Sequence, residues 1–188
     1  MATVYIKNMV CGRCIIVVEQ TMERLGLAVE RIQLGEVTLA NEPTPSEKNK
    51  LADALTPLGF ELIDNRKSRL IERVKTTIIG LVHHQQDQAK HNLSELLSEQ
   101  LGFDYSYLSS LFSEVEGTTI EKYYIAQKIE KVKELLVYDE LTLNEIAQQL
   151  NYSSTAYLSN QFKKVTGLTP SHFRRVKASK RKAIDEVK

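Results

Sequence analysis

Two cysteines, Cys11 and Cys14, are the residues whose types and spacing have the most distinctive chemistry. They are the only 2 cysteines of the 188-residue chain, and Arg13 stands between them. At the start of a helix this spacing lets both sulfurs face one centre, and the local amides and the Arg13 charge favour the thiolate form. Two thiolates suit a soft ion such as Cu(I), whereas Zn(II) would need two further ligands. The same motif also serves thiol–disulfide chemistry, so a redox pair is the alternative.

The sequence around the cysteines predicts an α+β domain over residues 1–65. Apolar spacing favours, in order, a strand, a helix, two strands, a helix and a strand at residues 4–7, 15–25, 28–34, 36–39, 46–58 and 60–63. This βαββαβ order is that of a ferredoxin-like sandwich, in which two helices pack on one face of a four-stranded sheet. The frame places the cysteines where the first strand gives way to the first helix.

This frame and the motif Met9-x-Cys11-x-x-Cys14 resemble the heavy-metal-associated domain of copper chaperones and metal-pumping ATPases, over residues 3–64. The resemblance implies that the two cysteines are metal ligands, with Met9 and Phe60 beside the metal loop. One position departs from the family, which commonly has Gly before the Met where this chain has Asn8. A vestigial domain kept for dimerisation or for another ligand is a further alternative.

A connector is predicted over residues 66–91, consisting of a helix to about residue 88 and a short linker. Its apolar residues recur at three- and four-residue intervals, at Ile71, Val74, Ile78, Leu81 and Val82. Such a stripe must be buried, either on the neighbouring domain or on the same helix of a second subunit, which would make a homodimer through residues 66–90. His83 and His84 could complete a metal site, but adjacent residues on a helix point about 100° apart.

The composition favours a soluble chain with two small domains. Its apolar fraction is 42% and its charged fraction 26%, and 188 residues suffice for two small cores. The first residues show no basic run followed by an apolar core, and no apolar stretch approaches the roughly 20 residues of a membrane span. We therefore expect a cytoplasmic protein without a membrane partner.

Basic charge is concentrated at the end of the chain, although the net charge is only +1. Residues 151–188 contain 9 basic and 2 acidic side chains, whereas residues 91–150 contain 4 basic and 11 acidic ones. A basic cluster of this kind could neutralise phosphates. The plainer interpretation is a solvated basic tail, here residues 176–188.

Two segments repeat one pattern at a distance of 50 residues. Tyr107-Leu108-Ser109-Ser110-Leu111-Phe112 recurs as Tyr157-Leu158-Ser159-Asn160-Gln161-Phe162, and each copy continues to a Val-x-Gly and a Thr. Each copy predicts a short helix, a tight turn and a second helix, at residues 93–101 and 105–115 and again at 142–150 and 154–165. This is a helix-turn-helix, whose second helix lies in the major groove of DNA. A helical bundle without DNA contact is the alternative, which the duplication disfavours.

Residues 92–175 resemble the DNA-binding domain of the AraC/XylS family of bacterial transcription regulators. The resemblance is carried by the segment from Ile146 to Tyr152 and by the segment from Tyr157 to Arg174. It implies two helix-turn-helix units joined by a long helix, about 119–137, that read successive major-groove segments of a double-stranded operator. RNA polymerase would be a further partner if the regulator activates transcription. The predicted DNA-binding residues are Ser106, Ser109, Ser110, Thr155, Ala156, Ser159, Asn160, Lys163, Lys164 and Arg174.

The two copies differ in charge where the recognition helix ends. Lys163 and Lys164 are well placed for phosphates, and the equivalent residues of the first copy are Ser113 and Glu114. A carboxylate repels a phosphodiester, and serine lacks the bidentate reach that Arg or Gln has toward bases. The sequence therefore predicts that the second unit supplies most of the affinity, while the first tunes specificity weakly or faces a protein.

Together these patterns predict a metal-responsive, sequence-specific transcription regulator. An ion held by Cys11 and Cys14, Cu(I) or another soft metal, would change the domain or dimer arrangement and so the engagement of DNA. A thiol redox sensor on the same scaffold is the second hypothesis. A metallochaperone is the third, and it leaves the last 97 residues without a use. No enzyme is expected, because the histidines show no catalytic spacing with an acid or a nucleophile.

Overall fold

The computed structural model describes residues 1–63, 66–84 and 92–176, Val176 by its backbone alone, and the chain forms two compact units. The N-terminal unit is Met1–Thr76 and the C-terminal unit is Thr77–Lys188. The division falls within the helix assigned above to a separate connector, so residues 66–76 belong to the N-terminal unit. The linker at 85–91 and the basic tail from residue 177 onward lie outside the described residues. Nowhere in the described ranges is a helix long and apolar enough to cross a membrane.

A four-stranded antiparallel sheet forms the centre of the N-terminal unit. Its strands are β1 (Ala2–Lys7), β2 (Val29–Gln33), β3 (Glu36–Leu39) and β4 (Glu61–Leu62), in the order β2-β3-β1-β4. In β1, Val4 pairs with Val37 of β3 and Ile6 pairs with Leu62 of β4. Because side chains alternate along a strand, Val4 and Ile6 share one face of the sheet, and both are buried there.

Two helices complete this core, and the strand and helix order is the predicted βαββαβ. They are α1 (Gly12–Arg24) and α2 (Pro45–Leu55), the second extended by a 3₁₀ turn at Thr56–Leu58. The buried cluster consists of Val4, Ile6, Met9, Val18, Met22, Leu27, Val37, Leu39, Leu51, Leu55 and Phe60.

The start of α2 lies slightly before the predicted one at Ser46. Thr44 caps the helix, because its hydroxyl accepts from the Glu47 amide at 3.3 Å while the Glu47 carboxylate accepts from the Thr44 amide at 2.7 Å. Pro45 then occupies the first turn, where a missing amide hydrogen costs nothing.

A third helix, α3 (Arg66–Ile79), lies in its first turns on the other face of the sheet. Tyr5 points away from Val4 and Ile6, and the Arg69 guanidinium carbon lies 4.6 Å from the centroid of its ring. Further along, a Cβ on Gly35 in the β2–β3 turn would meet Thr76 Cγ2 at 3.5 Å. Burial on the neighbouring domain was one of the two alternatives that the apolar stripe left open, and this packing covers a face that two helices alone would leave open.

The connector helix is shorter than predicted in its α-helical part. After Ile79 the chain continues as a π-helical turn at Gly80–His84, because glycine is a weak helix former. The predicted apolar stripe is nevertheless continuous, and all five of its members are buried within the single chain, at Ile71, Val74, Ile78, Leu81 and Val82. A second subunit is therefore not needed to cover it.

The described part of the C-terminal unit beyond residue 92 is helical, as the sequence predicts. Its helices are α4 (Leu93–Leu101), α5 (Tyr105–Glu116), α6 (Ile120–Tyr138), α7 (Leu143–Gln149), α8 (Thr155–Thr166) and α9 (Pro170–Val176). The central helix α6 contributes to two sets of packing. Its first half carries the buried Ile120 and Tyr123, and its second half carries Ile129, Val132 and Leu136 in a core with α7, α8 and α9.

A buried series of hydrogen bonds connects the π-helical turn to α6 within the C-terminal unit. His83 Nε2 lies 3.0 Å from Gln127 Oε1, and Gln127 Nε2 donates to the Tyr123 hydroxyl at 3.0 Å. Because the Gln127 amide nitrogen is used by Tyr123, its oxygen is left to accept from His83. Burial lowers the pKa of His83 below its usual 6.5, so the neutral ring donates from Nε2.

Acid should therefore destabilise the C-terminal unit through His83. A base whose pKa is lower in the folded than in the unfolded state binds fewer protons when folded, so its stabilising contribution is complete above about pH 6.5 and is lost as the pH falls. We expect the free energy of unfolding of the wild-type chain to fall more steeply from about pH 7 to about pH 5 than that of His83→Gln. Urea denaturation at each pH measures this slope. His84→Gln changes an exposed neighbour and should keep the wild-type slope; equal slopes for His83→Gln and wild type would contradict the prediction.

Candidate cysteine site and nucleic-acid interface

The start of α1 brings the two cysteine sulfurs together. Cys11 is the N-cap residue of the helix, with extended backbone angles, and Cys14 lies in the first turn. The two Sγ atoms are 3.4 Å apart, and both cysteines are free and half-buried. The predicted convergence on one centre is thus present in the fold.

The two thiols differ in how readily they ionise. Burial opposes ionisation of Cys11, but hydrogen bonds from the Cys14 amide and thiol and from the Arg13 amide, together with the Arg13 charge, outweigh it and lower the pKa of Cys11. Burial raises the pKa of Cys14, and the hydrogen bond that its thiol shares with Cys11 acts in the same direction. Cys11 is therefore the more reactive sulfur, whether toward a metal ion or toward an oxidant.

Asn8 adopts the backbone conformation that a glycine would favour at this position. Its φ is 70°, in the left-handed region, which asparagine enters more readily than most residues. Its side chain donates to the Gly59 carbonyl at 2.9 Å, and its own amide donates to Glu72 Oε1 at 2.9 Å. The departure from the resembled family therefore keeps the loop conformation and adds the side-chain contact with Gly59, which glycine could not make.

The predicted neighbours of the metal loop are core residues. Met9 is fully buried and Phe60 is nearly so, in the same cluster against which Cys14 packs. They belong to the core on which the cysteine loop packs, and their role beside a bound ion stays a prediction.

The donor set fits a soft ion of low coordination number better than a tetrahedral one. Within residues 1–63, 66–84 and 92–176, no group of three or more His, Cys, Asp and Glu side chains is placed to hold a metal. Two thiolates alone suit Cu(I), whereas Zn(II) would lack two ligands. His83 is not available as a further metal ligand, because its ring nitrogen is hydrogen-bonded to Gln127.

The two recognition helices, α5 and α8, are equivalent in geometry. Each has 12 residues and a turn before it, and each is fastened by an inward leucine and phenylalanine, namely Leu108 and Phe112 or Leu158 and Phe162, all fully buried. Of the residues predicted to contact DNA, the exposed ones are Ser106, Ser110, Ala156, Asn160, Lys163 and Lys164. The half-buried ones on the recognition helices are Ser109, Thr155 and Ser159. Contact with DNA stays a prediction for all of them.

Aromatic pairs, which the sequence did not point out, hold each turn against its recognition helix. The rings of Phe103 and Tyr107 stack at 5.7 Å in the first unit, and those of Tyr152 and Tyr157 lie 6.1 Å apart in the second. In the second unit the Tyr152 hydroxyl also donates to Gln161 Oε1 at 2.8 Å. One feature of the sequence could have indicated these pairs. Each turn contains an aromatic residue, four positions before Tyr107 in the first unit and five positions before Tyr157 in the second.

The first unit has a fastening of its own. The Tyr105 hydroxyl, at the start of α5, donates to the carboxylate of Glu121 in the first turn of α6. This bond lowers the pKa of Glu121. Tyr105, which precedes the predicted DNA-binding residue Ser106, therefore connects α5 to α6.

Arg174, one of the predicted DNA-binding residues, has partners inside the fold. Its Nη2 donates to the Leu141 carbonyl at 2.9 Å, and its Nε lies 3.1 Å from Asp139 Oδ1. Asp139 ends α6 with a left-handed backbone, so Arg174 fastens α9 to the end of α6. These internal partners give Arg174 a role in the fold, and its predicted contact with DNA stays a prediction.

The comparisons with known proteins concern the helical part of the chain. Residues 97–176 match a family model described as a helix-turn-helix domain. The C-terminal domain of AraT, a response regulator from Geobacillus stearothermophilus, is 29% identical, with a TM-score of 0.50 over 63% of this chain and 95% of that one. A transcriptional regulator from Chromobacterium violaceum, with an AraC-type DNA-binding domain, shares the fold at 18% identity and a TM-score of 0.50, over 62% of this chain and 99% of that one. Residues 97–176 therefore form a helix-turn-helix domain, with the fold that the Chromobacterium protein also has.

Two curated relatives match this chain over more than its helix-turn-helix domain. The xylose operon regulatory protein of Escherichia coli K12 is 31% identical over 131 residues, which are 69% of this chain and 33% of that protein. The HTH-type transcriptional regulator YtdP of Bacillus subtilis is 26% identical over 132 residues, which are 70% of this chain and 16% of that protein. The chain thus spans a third or less of the length of these relatives, both of which are named as regulators rather than enzymes.

Removing the Arg174 side chain should lower stability without a direct effect on DNA contacts. We expect Arg174→Ala to reduce the free energy of unfolding by about 1 kcal/mol, a hydrogen bond from a charged group discounted for its partial exposure. Arg175→Ala removes an equal, exposed charge from the same helix and should leave stability unchanged. Thermal and urea unfolding of the two variants measure the difference. Equal stability of the two variants, with DNA binding lost in Arg174→Ala alone, would restore the predicted phosphate contact.

Proposed function

We propose that this chain is a sequence-specific regulator of transcription that binds a double-stranded operator through its AraC-type domain. The observation that carries the proposal is the chemical difference between two recognition helices of equal geometry. The exposed end of α8 carries Lys163 and Lys164, whereas the matching positions of α5 are Ser113 and Glu114.

The difference assigns separate tasks to the two units. Lysine ammonium groups at the end of a recognition helix can contact phosphates and release counterions, which contributes affinity without reading sequence. The exposed Asn160 of α8 can pair with a base edge, whereas Ser106 and Ser110 of α5 offer single hydroxyls. The second unit therefore supplies most of the affinity, and the first adjusts specificity or contacts a protein.

Replacing both lysines should weaken binding and its dependence on salt. With about 0.9 counterions released per phosphate contact, loss of two contacts weakens binding on the order of 50-fold at about 0.1 M salt and reduces the slope of log K against log salt by about 2. The measurement is fluorescence anisotropy of a duplex that the wild-type chain enriches from a random-sequence pool, compared with Lys163→Ala plus Lys164→Ala.

The control for this experiment is the pair Ser109→Ala plus Ser110→Ala in the first unit. It should change affinity by no more than a few-fold and leave the salt slope intact. If the serine pair proves the more damaging of the two, the first unit is the main DNA reader and the assignment of tasks is wrong.

We further propose that the N-terminal unit is a ferredoxin-like, heavy-metal-associated domain in which Cys11 and Cys14 hold a soft ion such as Cu(I). Three features support this: the sheet order β2-β3-β1-β4, the 3.4 Å between the sulfurs and the lowered pKa of Cys11. When bound, the ion joins the loop to the first turn of α1. The chain's own residues hold the loop in place from Asn8 and bury its base with Met9.

Metal content of the purified chain tests this part. Protein prepared under reducing conditions and loaded with Cu(I) should retain about one copper per wild-type chain, because two thiolates form one site, and Cys11→Ser should retain none. Elemental analysis after desalting gives the ratio. DNA binding by metal-free Cys11→Ser should equal that of the metal-free wild type. Copper bound equally by both chains would place it elsewhere.

A thiol redox sensor is the second candidate for the same residues, and the short sulfur separation favours it as well. The Cys11 thiolate would attack glutathione disulfide, and Cys14 would then displace the glutathione, so that two thiols become one disulfide and two glutathione molecules are released. Mass analysis after alkylation detects the loss of both thiols. This candidate is preferred if DNA binding responds to that oxidant and not to copper.

Two further partners belong to this proposal. RNA polymerase is the expected partner if the regulator activates transcription. A homodimer through residues 66–90 is disfavoured, because the apolar stripe that suggested it is buried within the single chain.

A further inference from the structure

We propose that Glu72 of α3 is a positioning residue of the cysteine site, acting through the backbone of Asn8. The inference rests on the proposed metal binding by Cys11 and Cys14. It adds a residue that is 58 or more positions away in sequence and that no local motif includes.

The contact is a hydrogen bond from the Asn8 amide to Glu72 Oε1, 2.9 Å long, across 64 residues of sequence. Glu72 is only 6% exposed, and a buried carboxylate needs donors of this kind. Hydrogen bonds to an ionised acceptor are among the strong ones. The bond therefore holds the point at which the chain leaves β1 and enters the cysteine loop.

Asn8 gathers the contacts of the whole loop at one residue. Its side chain donates to the Gly59 carbonyl, and its own carbonyl faces the Cys14 thiol at 4.0 Å. The left-handed φ of Asn8 turns the chain so that its amide faces α3 while its carbonyl faces Cys14. A change of the loop at Cys14 and a change of α3 at Glu72 therefore meet at the same peptide groups.

The first turns of α3 are fixed on the sheet by contacts that do not involve the loop. Arg69 lies over the Tyr5 ring and its Nε donates to the Ile63 carbonyl at 3.3 Å, while Thr76 packs on Gly35. These contacts fix the position of Glu72 next to Asn8 independently of the cysteine loop. The helix continues to Ile79, beyond Thr76, where the C-terminal unit begins.

An ion that orders the cysteine loop should therefore also stabilise α3, and the coupling must be reciprocal. If Glu72 improves the affinity of the cysteines for an ion, the ion strengthens the contact of Asn8 with Glu72 by the same factor. A carboxylate that only stabilises the fold would lower stability when removed but would leave the affinity for the ion unchanged.

The first measurement is the Cu(I) affinity of the full chain, by competition with a chromophoric Cu(I) chelator under reducing conditions. We expect Glu72→Ala to weaken copper binding by about 5- to 10-fold, at the low end of typical coupling between sites. Glu72→Gln keeps an acceptor oxygen and should recover most of the affinity. Glu23→Ala removes an exposed carboxylate from α1 and should have no effect.

The second measurement is hydrogen exchange of the α3 amides followed by mass spectrometry. Addition of Cu(I) should slow exchange over residues 66–79 in the wild-type chain. The same addition should change nothing in Cys11→Ser, and the slowing should be smaller in Glu72→Ala.

The outcomes separate the two proposals. If the wild-type chain takes up no copper at the cysteines, the proposed metal function is wrong and the role of Glu72 falls with it. If wild type and Glu72→Ala bind copper equally and α3 exchange does not respond, the inference alone is overturned and the metal site stands. Should Glu72→Ala fail to fold by circular dichroism, the exchange experiment on the wild-type chain decides: copper that binds at the cysteines but leaves exchange over residues 66–79 unchanged overturns the inference.

Discussion

The helical half of this protein depends on one packing constraint, which is that α5 and α8 must each bury their inner side completely. Leu108 with Phe112 and Leu158 with Phe162 reach zero exposure, and this burial orients the opposite side of each helix toward solvent. Burying a side chain of this size contributes roughly 1.5–3 kcal/mol. Because the two helices bury the same residue types on their inner sides, their exposed residues can differ without a change in packing.

Much of the fold could be predicted from local spacing, and what could not depends on contacts between distant residues. The period of apolar residues was enough to place the strands, the helices and both helix-turn-helix units within a few positions. It could not show that Arg174 reaches Leu141 and Asp139, because nothing in the local sequence distinguishes that arginine from Arg175. Nor could it show that Asn8 and Glu72 meet, since the two are 64 residues apart.

The same distinction between local spacing and distant contacts applies to the predicted sites. The sequence was sufficient for the cysteines, because both sulfurs come from one turn of helix and their distance follows from that turn. It was insufficient for the second DNA-binding unit, where Lys128 of α6 lies 3.8 Å from the centroid of the Tyr152 ring. Lys128 is buried, which lowers its pKa to about 8, and its ammonium group lies against a ring inside the fold rather than on the surface. A lysine that is counted in the basic charge of the sequence is therefore not always available to contact phosphates.

The helix α6 has a consequence for the genes that such a protein could serve. Its 19 residues form one continuous rod about 28 Å long, which shares a buried core with α8 and carries the contact to α5 at Glu121. An operator read by both units must then match a fixed separation, since each added base pair moves one subsite by about 3.4 Å along the duplex and also turns it around the axis. Under the proposed function, an operator would tolerate changes of base sequence much more easily than the gain or loss of a single base pair between the two subsites.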